Sequence, residues 1–163
     1  MRIVVWISEG TWEACVDQAA AVAPPDAQIT LLHVAASDVE QVAARGGARL
    51  LGRHPPPPPD ASLRGVSEQE AQALLADARA RLGRDARTDS RHGRVEREVV
   101  AACAGADLLV LARGGELRLG PRSLARHERF AVDHAPCAVL LVWSEPPPGV
   151  ETLPPPPPGP PPR

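Results

Sequence analysis

Four short segments of this chain are apolar almost without interruption: residues 3–7 (IVVWI), 28–35 (QITLLHVA), 107–112 (DLLVLA) and 137–143 (CAVLLVW). A strand with one wet face alternates polar and apolar residues. Unbroken runs therefore belong to strands covered on both sides, as in a parallel sheet held between helices. The covering helices are legible between the runs. Trp12, Cys15, Val16, Ala19 and Ala23 share one helical face, with Thr11 the expected N-cap and Pro24-Pro25-Asp26 the stop. Ala71, Leu74, Leu75, Ala78 and Leu82 repeat the pattern, with Ser67 and Glu70 reading as a capping box and Gly83 as the end. A third helix is expected over 94–105, with Val95, Val99, Ala102 and Cys103 inward, and a fourth around 123–134. Residues 85–92 (DARTDSRH) are polar and suit only the edge of a sheet.

This order, strand-helix-strand followed by three helix-strand pairs, predicts an α/β domain: a doubly wound, five-stranded parallel sheet with helices on both faces. The domain is placed at 1–144. Gly46-Gly47 and the prolines at 55–59 break regular structure, so 36–66 reads as an insertion or flexible loop, in which Val39, Val42 and Ala43 support one short helix. Residues 145–163 form a proline-rich tail, expected to be disordered or polyproline II.

Composition removes several functions. All 18 basic residues are arginine, which excludes a lysine-dependent phosphate loop and Schiff-base chemistry. A net charge of −2 provides no overall field toward nucleic acid or an anionic membrane, and neither is expected as a partner. Cys15, Cys103 and Cys137 lie in apolar surroundings without a CxxC pair and read as small core residues. The five histidines lack metal-ligand spacing, so no metal is expected. His33 reads as a satisfied core histidine and His134 as a helix-end cap, while His92 is assigned to a loop approaching the ligand crevice, without an assignable carboxylate. Neither GxGxxG after a strand nor GxSxG occurs, and no catalytic residue is assigned. The first residues lack the length and cleavage site of a signal peptide. No apolar stretch approaches the ~20 residues of a membrane span. The expected location is cytoplasmic.

Three segments resemble the universal stress protein family: RIVVWISEGTWEACVDQA at the start, GRVEREVVAACAGADLLVLAR, and HAPCAVLLV at 134–142. The resemblance spans about residues 1–35 and 67–143. It implies a Rossmann-like, adenine nucleotide alpha hydrolase-like sheet of strand order 3-2-1-4-5, with a ligand crevice between strands one and four. It also implies a homodimer through the last strand, from Ala138 to Trp143. ATP-binding members carry Gly, two residues, Gly, nine residues, then Gly-Ser or Gly-Thr. Counting back from His134-Ala135-Pro136-Cys137 puts these positions on Ala112, Gly115, Ala125 and Arg126. Ser8 stands where members often have Asp, and Gly10 and Val34 complete the nucleotide-binding set that the resemblance implies.

One glycine of the three remains and the hydroxyl is absent. Each lost phosphate hydrogen bond costs roughly 1–3 kcal/mol, so two or three losses turn micromolar affinity into millimolar. Against this stand Arg113, Arg118, Arg122, Arg126 and Arg129, which could form a residual anion site led by Arg113 and Arg126. The expected function is a non-enzymatic regulatory or stress-response domain, dimeric, without a resident cofactor and with weak or absent nucleotide binding. Two alternatives stay open. One is an ATP-binding protein using Arg113 and Arg126 for the missing contacts. The other is an enzyme of the related nucleotide α-hydrolase group, for which Ser8-Glu9-Gly10-Thr11 is a poor pyrophosphate loop.

Overall fold

A computed structural model describes residues 1–36 and 61–153. Its five strands are β1 (Arg2–Trp6), β2 (Gln28–Ala36), β3 (Arg87–Gly93), β4 (Leu108–Ala112) and β5 (Ala138–Val142). They form one sheet in the order β3-β2-β1-β4-β5, with every pairing parallel. Among the described residues, four α-helices accompany them: α1 (Trp12–Val22), α2 (Ala61–Leu82), α3 (Val95–Ala102) and α4 (Arg126–His134). Short 3-10 turns lie at Pro121–Ser123 and Val150–Thr152. The doubly wound parallel architecture and the expected strand order are thus both present.

The unbroken apolar runs have the predicted cause. Successive strand residues face opposite sides, so Ile3, Val5 and Ile7 join Leu31, Val110 and the apolar faces of α1 and α2. Val4, Trp6, Leu32 and Val34 join Leu109, Leu111, Val99, Cys103 and Ala131 on the side of α3 and α4. Fully burying a Val, Leu or Ile side chain contributes roughly 1.5–3 kcal/mol. Two such layers give the domain a core despite an aromatic content of 2%. The polar β3 occupies one edge of the sheet and β5 the other.

Several boundaries differ from the sequence reading. α2 already runs from Ala61, which places Ser67 and Glu70 inside it. A capping box satisfies main-chain N–H groups at a helix start, and in a continuing helix there is none to satisfy. Thr11 does precede α1, but its side chain caps no amide; its hydroxyl and its N–H both donate to the Ser8 carbonyl, at 3.4 and 3.2 Å. The fourth helix starts at Arg126 rather than near 123. Gly120, at φ +100°, turns the chain into the 3-10 turn, and Leu124 and Ala125 are then extended. His92 pairs with Ala35 inside β3, so it does not belong to a loop. β5 ends at Val142, leaving Trp143 beyond the strand. The short helix expected near Val39, the proline run at 55–59 and the tail from 154 lie outside the described residues.

Candidate functional site

A parallel sheet brings the carboxyl ends of all its strands to one side. A ligand crevice forms there where consecutive connections leave toward opposite faces. Here β1 leads into α1 on one face, and its neighbour β4 leads toward α4 on the other. Ser8 and Gly10 lie in the turn after β1, with Gly10 at φ +74°. Val34 is buried near the end of β2, and Ala112 is the buried last residue of β4. The fold therefore gathers Ser8, Gly10, Val34 and Ala112 along one end of adjacent strands. Gly115 follows in the loop, and Ala125-Arg126 is the point where α4 begins, as the count from HAPC requires.

The loop from 113 to 124 is closed on itself. Gly115 N–H donates to the Ser123 carbonyl at 3.0 Å and Glu116 N–H to the Arg122 carbonyl at 2.8 Å. The amides of Arg113, Arg118, Ser123 and Leu124 donate to the carbonyls of Val142, Glu116, Gly120 and Pro121, and that of Leu119 to the Thr152 hydroxyl at 3.1 Å. A phosphate loop works by aiming unpaired amides at the anion. In this loop seven such donors already have acceptors within the protein. Gly115 is where the two sides touch: a Cβ there would lie 2.3 Å from the Arg122 carbonyl oxygen.

The arginines do not converge as a ring of free donors. Arg113 Nη1 donates to the Ser123 hydroxyl, which itself donates to the Gly120 carbonyl at 2.8 Å. The same guanidinium lies 4.8 Å above the Trp143 ring, and its Nε is buried without a partner. Arg129 donates to the Pro121 carbonyl at 2.6 Å and to that of Leu124 at 3.3 Å. Arg118 and Arg122 flank Glu116 at 3.7 and 3.8 Å. Among the described residues, Arg126 is the arginine of the five whose side chain holds neither a hydrogen bond nor an ion pair. Glu128 adds an opposing charge. Its carboxylate rests against Gly114, where a Cβ would meet Oε1 at 2.6 Å, and Oε2 is buried and unpartnered. A phosphate in this loop would have to approach that carboxylate.

The sequence reading missed a buried carboxylate with a histidine partner at the same end of the sheet. Glu96, in the first turn of α3, is 6% exposed and accepts a hydrogen bond from His127 Nδ1 at 2.8 Å. Burial by itself would raise the Glu96 pKa. Hydrogen bonds from its own main chain and from His127, with the field of Arg126, outweigh burial and hold it below the usual carboxylate range. Glu96 lies three residues before Val99 and so on the inward face of α3, which was legible; its partner on α4 was not. His33 and His134 hold structural hydrogen bonds. His33 Nδ1 donates to the Ile7 carbonyl at 3.0 Å, and His134 Nδ1 to that of Phe130 at 2.9 Å with the two rings stacked. Cys15 and Cys103 are buried.

No protein-family model matches the chain, and no curated protein matches it either. Solved structures do. A hypothetical protein whose biochemical function was assigned from its structure aligns over 87% of this chain and 94% of its own, with TM-score 0.65 and 16% identity. A universal stress protein in complex with cAMP aligns over 89% of this chain and 98% of its own, with TM-score 0.58 and 18% identity. A universal stress protein family member from Arabidopsis thaliana with AMP bound aligns over 88% and 91%, with TM-score 0.50 and 16% identity. At these identities the likeness establishes the fold, which is the five-stranded fold of universal stress protein structures.

Proposed function

We propose that a chain with this universal stress protein fold acts as a non-enzymatic regulatory or stress-response domain in the cytoplasm. It pairs with a second copy through β5 and binds adenine nucleotides weakly or not at all. The observation that carries the reading is the closed loop at 113–124. Seven of its amides donate to loop carbonyls, to Val142 or to Thr152, and the Glu128 carboxylate lies against Gly114. A nucleotide phosphate would have to replace those bonds and overcome that charge, each at roughly 1–3 kcal/mol. The cAMP and AMP complexes among the similar structures make adenine nucleotides the ligands to try. Cytoplasmic placement agrees with three free cysteines and with the lack, among the described residues, of a helix long and apolar enough to cross a membrane.

Pairing through β5 is supported by its position as an outer strand with partly exposed Val139, Leu140 and Leu141. An apolar edge with unpaired main-chain groups favours a two-fold partner of the same sequence. Titration calorimetry with ATP, AMP and cAMP is expected to give dissociation constants at or above about 1 mM. A nucleotide retained through purification and seen by native mass spectrometry would overturn the reading. Light scattering is expected to report a dimer, and a strict monomer at tens of micromolar would remove the pairing.

One observation favours a second reading, a domain that does bind ATP. The start of α4 has no side-chain cap, and Arg126 stands at its first position without a hydrogen bond among the described residues. On that reading, Arg126→Ala weakens ATP binding by about tenfold, the effect of one charge-assisted bond.

A further inference from the structure

The opposite end of the sheet holds a second arginine-lined concavity. α3 is eight residues long, about 12 Å, and covers only part of the face it packs on. Beside the amino ends of β1–β3 that face opens into a cavity of about 340 Å³, closed on one side by the turn at 102–106. Strand alternation puts Arg2, Gln28, Thr30, Arg87, Asp89 and Arg91 on the same face as Val4, Leu32 and Val34, and all six line the cavity. Parallel sheets in α/β folds are covered on both faces and apolar there. Here the first rows of three adjacent strands are polar instead.

The charges do not cancel. Arg91 is held by Asp89 at 3.0 Å and reaches the Glu98 carboxylate at 3.6 Å. Arg2 and Arg87 meet no carboxylate with their guanidinium groups among the described residues, although the Arg2 main-chain N–H donates to Asp107 at 2.6 Å. The Arg2 guanidinium lies across Gly105, close enough that a Cβ there would meet Nη2 at 2.7 Å, so the missing side chain makes room for it. The Thr30 hydroxyl and the Gln28 amide provide neutral donors beside the two cations.

We propose that this cavity is an anion site for a small phosphorylated molecule, with Arg2 and Arg87 as the phosphate-gripping pair and Thr30 and Gln28 as supporting donors. Guanidinium forks match phosphate oxygens two at a time, and the volume lies at the small end of ligand pockets. The site is independent of the nucleotide crevice, which lies at the other ends of the strands.

Calorimetry on the full chain with inorganic pyrophosphate tests it, with orthophosphate and AMP as comparison ligands. Pyrophosphate is expected to bind saturably with a dissociation constant below about 1 mM in low salt. Arg87→Ala and Arg2→Ala are each expected to weaken it about tenfold or more, while Arg126→Ala leaves it unchanged. Arg87 is an exposed residue of the edge strand, so its variant should melt as the parent does, and a melt recorded alongside checks this. Orthophosphate, with less charge, should bind more weakly, and AMP no more tightly than orthophosphate. The proposal fails if pyrophosphate shows no saturation by about 10 mM. It fails equally if Arg126→Ala abolishes binding while the Arg2 and Arg87 variants keep it, or if AMP alone binds.

Discussion

Replacing Gly115 by alanine tests the claim that the loop is locked by its own main chain. The added Cβ would lie 2.3 Å from the Arg122 carbonyl oxygen, 2.7 Å from the Ser123 carbonyl carbon and 2.9 Å from the Leu124 nitrogen. All three are main-chain atoms, so no rotamer change relieves the clash. The two sides of the loop must separate, and the bonds Gly115 N–H to Ser123 and Glu116 N–H to Arg122 are lost with that movement. At a net 0.5–1.5 kcal/mol each, the loss is about 2 kcal/mol. More follows if fully buried Ser123 is drawn away from Arg113. For a domain of this size, about 2 kcal/mol lowers Tm by roughly 5–10 °C. Thermal unfolding followed by circular dichroism measures it, and trypsin should cut faster at Arg118 and Arg122 as the loop opens. Gly114→Ala is the control. The atoms nearest its Cβ would all belong to the Glu128 carboxylate, the far end of a flexible side chain, and the expected cost is under about 0.5 kcal/mol. A Gly115→Ala variant that melts within about 1 °C of the parent, or no lower than Gly114→Ala, refutes the argument.

Two further outcomes follow from ionisable groups. Because folding lowers the Glu96 pKa, its stabilising contribution is complete above the ordinary value of 4.5 and fades as pH drops through the folded-state value. The stability advantage of the parent over Glu96→Gln should therefore shrink on acidification below that value, and parallel pH profiles of the two proteins would contradict the pairing with His127. Burial pushes the Cys15 thiol up to about 12, and burial with the neighbouring Cys137 does the same for Cys103. Iodoacetamide at mildly alkaline pH should label half-buried Cys137 first and Cys15 only on unfolding; native-state labelling of Cys15 at the Cys137 rate would overturn this.

The sequence by itself determined the sheet, because burial on both faces writes itself locally as unbroken runs such as 107–112. The helix faces of α1 and α3 were legible for the same reason, their apolar residues recurring with the turn of the helix. The fourth helix was legible as an element, but its start at Arg126 was not. Other features depended on groups distant along the chain, and local pattern carries no record of those. Ser67-Glu70 looked like a helix start because the sequence does not reveal that the backbone before it is already helical. The arginines of the loop looked like free cations; tertiary structure turned Arg113 onto Ser123 and Arg129 onto main-chain carbonyls. Glu96 found His127 thirty-one residues away. Arg2 and Arg87 came to line one cavity only because β1, β2 and β3 lie side by side. Apolar burial is a property of each segment, whereas the partner of a charge is settled only when the segments are placed together.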